Sequence, residues 1–379
     1  AKFGFVGMMR VKLKDITNYS KGSQINRDIL LENGKYIYLN GGINPSGKWN
    51  AYNVSSKTIT ISEGGNSSGY INYITEPFWC GAHCYYLFDG PKNTKYLYYA
   101  LKSQQERLFK IRSGACMPNI KKKDLGNFEF EFDFNEKIQI KIVSILDECN
   151  KTINNYKLEL ELLDELVKAR FVELFGDVRS NNNYPNVLFS ECVEHSLRGP
   201  FGSDMKKSLY VPKNENTIKV YIQINAIQKN ENLGDYYISK EYYDDKMYKF
   251  EVFPNEYIIT CDGTLGKLLK LSKNMEKGVI SSSLLKLKLN YSLITDQYFE
   301  YVWNLCLLPQ LISEARNACL VHLPSMKVIG SKKIQLPPLE LQNQFADFVK
   351  EVDKSRLEVQ KSLKKTQELF DSLMQKYFG

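Results

Sequence analysis

The chain has 379 residues, a length that accommodates two domains of ordinary size, each with its own core. Its net charge of +8 is compatible with a polyanionic partner but does not require one. No apolar run reaches membrane-spanning length and no signal peptide is visible, which argues against a membrane protein and favours a cytoplasmic location.

The N-terminal part of the chain has the pattern of a strand-rich globular domain. Residues 1–7 are expected to be foreign to the natural chain, because a pair of methionines follows them. Short alternating segments at 58–61 and 70–74 predict strands, and a helix is predicted at 95–110. The 25 tyrosines and 20 phenylalanines fit half-buried strands, and the eight cysteines are expected to be reduced core residues. We therefore assign residues 10–134 to a first globular domain.

Two long helices alternate with the globular parts. The first is predicted at 135–176 and is followed by a polar linker at 177–185 that contains a proline. A second globular domain is predicted at 186–336, with a helix of its own at 296–315. The last helix occupies 337–379 and starts at a pair of prolines, which favour a helix beginning.

The long helices form an internal repeat, because residues 115–176 align with residues 318–379 without a gap. The first copy has apolar positions at helical spacing, namely Ile138, Ile142, Ile145, Cys149, Ile153, Tyr156, Leu160, Leu163, Val167 and Leu174. The second copy has at these places Leu341, Phe345, Phe348, Val352, Arg356, Val359, Leu363, Thr366, Phe370 and Tyr377. Amphipathic helices can resemble each other by accident, but this match begins before the helix, at Ala115-Cys116 and Ala318-Cys319. The chain is therefore predicted to consist of two similar halves.

A helical stripe of this length needs a partner, and the other copy is the simplest one. Since the second globular domain separates the two helices in sequence, an intramolecular antiparallel pair is expected. At about 1.5 Å per residue the pair forms a rod of roughly 60 Å. The two domains are expected at opposite ends of this rod, related by a pseudo-two-fold axis, where they can contact two separated places on a long ligand.

The repeat extends weakly into the globular domains. Four pairs of segments resemble each other: 11–16 with 187–192, 36–40 with 221–225, 59–65 with 258–264, and 80–87 with 280–287. The offset between the segments drifts, so the loops differ in length. A constant scaffold with divergent loops is typical of variable binding surfaces.

Three motifs and their order carry a family resemblance. They are Gly199-Pro-Phe-Gly-Ser203, the segment Ile259-Thr-Cys-Asp-Gly-Thr-Leu-Gly-Lys267, and Leu336-Pro-Pro-Leu-Glu-Leu-Gln342 before the last helix. Over residues 10–379 the chain resembles the specificity subunit of type I restriction–modification systems. The first domain departs from the pattern at 63–69 and at 132–136, which leaves residue-level transfer to that domain open.

This resemblance implies an α+β fold with two pseudo-symmetric globular α/β recognition domains, separated by a long antiparallel two-helix coiled coil. It implies a noncatalytic subunit that reads a bipartite double-stranded DNA site, one half-site per domain, across unread base pairs. It also implies two modification (methyltransferase) subunits that carry S-adenosylmethionine and methylate adenine, and restriction subunits that cleave DNA. The chain itself is expected to hold no cofactor.

Signals of catalysis are missing from the sequence. The nearest string to an adenine methyltransferase loop, Asn44-Pro-Ser46, lacks the second proline and the aromatic residue, and no Walker loop is present. The segment 80–84 has cysteines and a histidine but no second ligand cluster, so a buried strand is favoured over a zinc site. His195 and His322 have no evident acidic or thiol partner, and 241–246 is expected to be a solvated loop.

Polar and basic loop residues are the candidates for DNA contact, because such side chains read base edges and bind phosphates. In the first domain they are Lys21, Ser23, Gln24, Asn40, Asn44, Lys48, Asn66 and Ser67. In the second domain they are Arg198, Ser203, Lys206, Lys207, Gln223, Asn225, Thr264 and Lys267. Each is also compatible with an ordinary polar surface position. The helical residues expected to pair the two long helices, and so to support docking of the modification subunits, are Ile142, Ile145, Leu160, Leu163, Phe345, Phe348, Leu363 and Phe370.

Two functions remain open at this point. The first is a noncatalytic DNA-recognition subunit of a methyltransferase–nuclease complex. The second is a self-sufficient DNA-binding protein, such as a repressor or a decoy, without methyltransferase partners. A standalone nuclease or methyltransferase lacks its motifs in this sequence.

Overall fold

The computed structural model describes residues 7–114, 117–176, 183–223, 236–317 and 322–379, with the backbone alone at 315–317. The chain forms two compact units. Unit 1 comprises Ala1–Glu159 and Val359–Gly379, and unit 2 comprises Leu160–Glu358. The division crosses both long helices, so each unit contains one globular domain and a part of each helix.

The strands of unit 1 form three sheets. In chain order they are β1 (Met8–Lys12), β2 (Asn18–Lys21), β3 (Tyr36–Leu39), β4 (Gly47–Trp49), β5 (Thr58–Ser62), β6 (Ile71–Ile74), β7 (Trp79–Cys80), β8 (Cys84–Phe88) and β9 (Glu129–Asp133). The main sheet has the order β2-β8-β5-β6, the second sheet has the order β4-β3-β7, and β1 pairs with β9. All these pairs are antiparallel except β3 with β7.

The helices of this part of the chain are α1 (Leu13–Ile16), α2 (Thr94–Ser103), α3 (Gln105–Lys110), α4 (Lys122–Gly126) and α5 (Glu136–Phe175). The prediction of a single helix at 95–110 is wrong in one respect. The helix is interrupted at Gln104, whose backbone angles are φ −97° and ψ 17°. The Ser103 hydroxyl donates to the Ala100 carbonyl there and competes with regular helix bonding. Buried residues of β5, β8 and α2 form the core of this domain.

The strands of unit 2 repeat this arrangement. They are β10 (Asn186–Leu188), β11 (Val193–Arg198), β12 (Thr217–Tyr221), β13 (Tyr237–Ser239), β14 (Glu251–Val252), β15 (Tyr257–Thr260), β16 (Leu268–Lys270), β17 (Gly278–Ile280), β18 (Leu284–Leu289) and β19 (Lys333–Gln335). The main sheet has the order β11-β18-β15-β16, the second has the order β13-β12-β17-β14, and β10 pairs with β19. The pair β12–β17 is parallel, like β3–β7 in unit 1.

The helices of unit 2 after α5 are α6 (Lys240–Tyr242), α7 (Asp296–Val302), α8 (Leu308–Asn317), α9 (Met326–Gly330) and the start of α10 (Leu339–Phe378). The helix predicted at 296–315 is interrupted by a π-helical turn at Trp303–Leu307. Pro309 follows this turn and cannot donate a backbone hydrogen bond, so it occupies the first turn of a new helix.

The two long helices pair antiparallel, as the repeat predicts. In unit 1 the early α5 residues Ile142 and Leu146 share a core with Phe378 at the end of α10. In unit 2 the late α5 residue Phe171 packs against Phe345 near the start of α10, with ring centroids 5.3 Å apart. The start of α5 therefore meets the end of α10 in unit 1, and the end of α5 meets the start of α10 in unit 2.

The strand registers test the weak repeat of the globular domains. The pairing of 80–87 with 280–287 and of 11–16 with 187–192 is confirmed, because these segments occupy the same places in matching sheets. The pairing of 36–40 with 221–225 is wrong by three residues, since Leu39 and Tyr221 hold equivalent positions opposite Cys80 and Ile280. Asn40 therefore corresponds to Ile222 rather than to Asn225.

The pairing of 59–65 with 258–264 is wrong by one residue. Ser62 pairs with Cys84, and Thr260 pairs with Leu284, so Ser62 and Thr260 are equivalent. Within the described ranges, no helix combines the length and apolarity needed to cross a membrane.

Candidate nucleic-acid interface

One edge of the main sheet in unit 2 gathers polar side chains. Strands β11 and β15 both run antiparallel to β18, and their last residues, Arg198 and Thr260, lie opposite Leu285 and Leu284 at its start. The loops after β11 and β15 therefore leave the sheet at the same end, one on each side of β18. Arg198 and the segment from Asp262 onward lie at this edge.

Asp262 is the centre of the contacts at this edge. Its carboxylate oxygen Oδ1 lies 2.6 Å from His322 Nδ1 and 3.5 Å from Arg198 Nη2. Arg198 Nη1 also donates to the Leu323 carbonyl at 3.0 Å, and Gln223 Nε2 donates to the backbone carbonyl of Asp262. The expectation that His322 lacks an acidic partner is wrong, because a backbone bridge brings it beside Asp262 from a distant part of the chain.

The loop after β15 is shaped by glycines and internal hydrogen bonds. Gly263 and Gly266 have φ angles of +64° and +71°, a region that glycine adopts without strain. The Thr260 hydroxyl donates to the Thr264 carbonyl, and the Lys267 N–H donates to the Thr260 hydroxyl at 2.9 Å. The side chains of Thr264 and Lys267 are exposed on this braced loop.

Unit 1 presents a similar edge. Lys21 ends β2 opposite Tyr85, and Glu63 follows the last residue of β5, so both leave the sheet at the start of β8. Lys21 Nζ forms an ion pair with Glu63 Oε1, and His83 Nδ1 lies 3.6 Å from Glu63 Oε2. The Glu63 N–H donates to the His83 carbonyl at 2.9 Å, which ties the two loops together.

A glycine follows the cation in both units for a steric reason. A Cβ atom on Gly22, after Lys21, would lie 1.9 Å from the Cys80 carbonyl oxygen. A Cβ atom on Gly199, after Arg198, would lie 1.9 Å from the Ser281 carbonyl oxygen. Both distances are far below contact distance, so the close approach of two backbones at this edge requires glycine in each domain.

The other residues predicted in the first domain divide into two groups. Asn40 and Ser67 brace the edge from within, because Asn40 Oδ1 accepts from the His83 N–H at 3.2 Å and Ser67 Oγ donates to the Gly41 carbonyl at 2.6 Å. The remaining side chains are exposed, and they are Ser23, Gln24, Asn44, Lys48 and Asn66.

The other residues predicted in the second domain follow β11. Ser203 lies on a short 3-10 turn at Gly202–Asp204, and Lys207 begins the next one at Lys207–Leu209. Ser203, Lys206 and Lys207 are all exposed. Asn225 lies outside the described residues.

The cysteine-rich segment 80–84 lies in the interior of its domain. Cys80 and Cys84 are both buried. The pKa of the Cys80 thiol is raised, first by its hydrogen bond with Cys84 and second by its burial. Burial also raises the pKa of Cys261 to about 11, so this thiol next to Asp262 stays protonated at neutral pH. No three metal-ligating side chains converge within the part of the chain that the structure describes.

The segment 241–246 was expected to be a solvated loop. It is helical, so the loop is wrong, but its acidic residues and Lys246 are exposed as expected. It continues α6 into a π-helical turn at Tyr243–Met247. The turn buries the side chains of Tyr243 and Met247 in the second core of this domain, which also contains residues of β12 and β17.

The residues predicted to pair the long helices are packed within each unit. Ile142 and Phe345 are buried, Leu163 and Phe348 pack on the core of unit 2, and Phe370 packs on the core of unit 1. Half-buried positions are held by Ile145, Leu160 and Leu363. Arg356, in the same stripe, pairs with Asp164 at 2.6 Å within unit 2.

Other leucines of the long helices face solvent. Leu166 in α5 and Leu369 in α10 occupy equivalent positions of the repeat and are 48% and 52% exposed. Leu162 and Val172 are exposed on α5 as well. These positions lie outside the stripe that is predicted to pair the two helices.

Four residues of the two edges were missed in the sequence, namely Glu63, His83, Asp262 and His322. A signal was available for the acids, since each stands in front of a glycine after a buried strand. No such signal exists for His322, because its contact to Asp262 spans 60 residues of chain.

The chain is thus a protein of two domains that share one topology, and each domain carries a polar edge of mixed charge at its main sheet. The family model described as type I restriction modification DNA specificity domain matches residues 6–163 and 202–369. The chain therefore belongs to the type I restriction modification DNA specificity family.

Relatives agree with this assignment. The chain is 31% identical over 167 residues to a protein from Mycoplasma genitalium described as a type I specificity subunit, an alignment that covers 43% of each chain. It is 32% identical over 162 residues to a similarly described protein from Mycoplasma pneumoniae, covering 41% of this chain and 40% of the relative. The matched regions thus span less than half the length of these curated relatives.

Solved structures show the same fold. The S subunit of a type I restriction–modification system from M. genitalium superposes with a TM-score of 0.63 at 19% identity, over 100% of this chain and 98% of that chain. A chain from a study of complex assembly and conformational transition of the type I restriction–modification system gives a TM-score of 0.57 at 12% identity, over 98% and 97%.

Proposed function

We propose that the chain is the noncatalytic DNA sequence-specificity subunit of a type I restriction–modification complex. Each recognition domain reads one half of a bipartite double-stranded DNA site, and the helix pair fixes the distance between the half-sites. Two modification subunits, which carry S-adenosylmethionine and methylate adenine, assemble on the chain, and restriction subunits join them. We expect the complex in the cytoplasm, because its DNA substrate lies there.

The observation that carries this proposal is the repetition of one sheet edge in both units. In each domain a cation at the end of the first strand of the main sheet precedes a sterically required glycine and lies beside a carboxylate. Divergent polar loops on a constant scaffold suit two different half-sites, because loop side chains can change without disturbing the sheets.

The exposed leucines support docking of two copies of one partner. Leu166 and Leu369 are equivalent in the repeat, and each remains about half exposed although it lies on a packed helix. Equivalent apolar positions on two pseudo-symmetric helices offer the same contact twice, as two identical modification subunits would require. We place the contact at these leucines rather than at the packed stripe around Ile142 and Phe345.

Co-expression with the modification subunit of the same system tests the proposal. We expect stable co-purification of the full chain with this subunit, and a bipartite N6-methyladenine motif in the genome of the expressing host. Tight, specific binding of DNA by the lone chain, without co-purification, would instead support a self-sufficient DNA-binding protein.

The docking surface has its own test. The double variant Leu166→Glu/Leu369→Glu should lose co-purification with the modification subunit and keep the unfolding midpoint of the wild type, because both leucines are exposed. Lys157→Glu, an exposed change on the opposite face of α5, is the matched control and should assemble normally. Normal assembly of the double variant would move the docking surface elsewhere.

A further inference from the structure

Each unit holds a trio of cation, carboxylate and imidazole at the edge of its main sheet. The trio of unit 1 is Lys21, Glu63 and His83, and that of unit 2 is Arg198, Asp262 and His322. The chain has three histidines, and two of them belong to these trios. The two trios are equally accessible to a ligand. The side chains of both cations are 41% exposed, and those of both histidines are 64% exposed.

The two trios are assembled from partly different positions. Lys21 and Arg198 are equivalent, because they lie opposite the matching residues Tyr85 and Leu285. The carboxylates are offset by one residue, since the N–H groups of Glu63 and Cys261 make the same ladder bond and Asp262 comes one position later.

The imidazoles come from unrelated loops. His83 lies between β7 and β8, whereas His322 follows α8. The repeated scaffold alone therefore does not explain why both edges carry the same three groups. The recurrence indicates a shared requirement of the two edges, met separately in each domain.

The charges of the trio disfavour phosphate as its ligand. In each trio the carboxylate compensates the cation, so the trio adds little net attraction for a phosphate, and its own negative charge repels one. Donors and acceptors held in fixed positions are instead what base edges in a DNA groove require. The exposed Lys206 and Lys207, on the segment after β11, are better placed to serve phosphates.

The carboxylate also fixes the imidazole tautomer. An ionised carboxylate only accepts hydrogen bonds, so His322 Nδ1 at 2.6 Å from Asp262 Oδ1 must carry a hydrogen. Nε2 is then the ring nitrogen left for a ligand, and in a neutral ring it is an acceptor. His83 Nδ1 lies farther from Glu63, at 3.6 Å, so the carboxylate of unit 1 acts on the ring through its charge rather than through a direct hydrogen bond.

We propose that the two trios are base-reading centres, one for each half-site. The imidazole Nε2 accepts from the exocyclic amino group of adenine or cytosine, and the cation beside it donates to an acceptor on the base edge. The carboxylates are positioning residues that hold both groups. This inference rests on the proposed function and adds His83 and His322 to the residues that determine sequence specificity.

Methylation motifs of single-residue variants test the proposal in the intact complex with modification subunits. Host genomes expressing the complex serve as the DNA probe, and the readout is the base preference at each position of the N6-methyladenine motif. His322→Ala should relax one position of one half-site, with roughly a tenfold loss of discrimination there. His83→Ala should relax the other half-site. His195→Ala, the third histidine, is exposed on β11 outside both trios and should leave the motif unchanged.

The outcomes separate this inference from the proposed function. A wild-type complex without any bipartite motif would refute the proposed function itself. A wild-type motif that stays unchanged in His322→Ala and His83→Ala, or a uniform loss of methylation at all sequences, overturns base reading by the trios alone. Should alanine disturb the loop and prevent assembly, His322→Gln restores a polar side chain of similar reach and must still alter the same half-site.

Discussion

Gln342 is a buried anchor whose removal should have a large, calculable effect. Its side chain is fully buried near the start of α10, where Nε2 donates to the carbonyls of Leu293 and Pro337, both at 2.9 Å. Its Oε1 accepts from the Thr295 N–H at 2.8 Å. Gln342→Ala leaves these three backbone groups without their partner. An unsatisfied buried group costs about 1–3 kcal/mol, so for three groups we expect a loss of roughly 3–9 kcal/mol in the free energy of unfolding.

The repeat supplies a graded comparison, because Gln139 is the equivalent residue at the start of α5. It is buried too, and its Nε2 donates to the Asp133 carbonyl at 2.6 Å. With this one described bond, Gln139→Ala should lose only about 1–3 kcal/mol. The exposed neighbour Asn343 is the control, and its change to alanine should stay within about 0.5 kcal/mol.

Urea unfolding of the full chain, followed by far-ultraviolet circular dichroism, measures all three variants. The expected order of destabilisation is Gln342→Ala, then Gln139→Ala, then Asn343→Ala. Equal losses for the two glutamine variants, or a smaller loss for Gln342→Ala, would refute the argument from orphaned backbone groups.

Three further predictions concern a buried phenylalanine, a buried lysine and the length of the first long helix. Phe345→Ala should cost about 3–5 kcal/mol in guanidinium unfolding because Phe345 is fully buried, whereas Leu166→Ala should change stability by less than about 0.5 kcal/mol. Burial lowers the pKa of Lys102 from 10.5 to about 8, so the unfolded chain binds more protons between these values and stability should rise with pH there; relative to Lys102→Met, the wild type should gain stability from pH 8 to pH 10, and a parallel dependence would contradict this. Inserting four residues, about one helical turn, after Tyr156 should lengthen the unread spacer of the methylation motif and leave both half-sites unchanged; a fixed spacer in an active complex would disprove it.

The long helices were predictable from sequence almost to the residue. The predicted ranges 135–176 and 337–379 compare with Glu136–Phe175 and Leu339–Phe378 in the structure. An apolar stripe over forty residues dominates any local preference, so the period alone determines the element. Their antiparallel pairing followed from chain connectivity, since a whole domain separates the two helices.

The registers of the short strands could not be predicted in the same way. The alignment of 59–65 with 258–264 makes Glu63 and Asp262 equivalent positions of the repeat. Both residues precede a glycine. The hydrogen-bond ladder instead makes Ser62 and Thr260 equivalent, which shifts the carboxylates by one residue. Strands of four or five residues have too few side chains to fix a register by pattern, and a slip of one residue reverses every face.

The sequence did not predict which residues form the two trios, because these residues meet only in the folded protein. Lys21 and Arg198 were predicted as DNA contacts, but their carboxylate and imidazole neighbours were not. His322 reaches Asp262 only because the Leu323 N–H bonds to the Cys261 carbonyl at 2.7 Å, a tertiary contact that no local pattern announces. Contacts between loops depend on the folded sheet, which a single sequence does not reveal.

The glycines and the trios differ in how strictly the fold determines their residues. Gly22 and Gly199 are held in equivalent places by backbone contact, because any side chain there would collide with a carbonyl oxygen. The carboxylate and the imidazole beside them are not fixed in this way, because the two domains supply these groups from different positions. Substitutions at Glu63, His83, Asp262 or His322 can therefore alter the contact edge while the sheets and the paired helices stay intact. Variation is permitted where the base-reading centres are proposed and excluded where the fold is fixed.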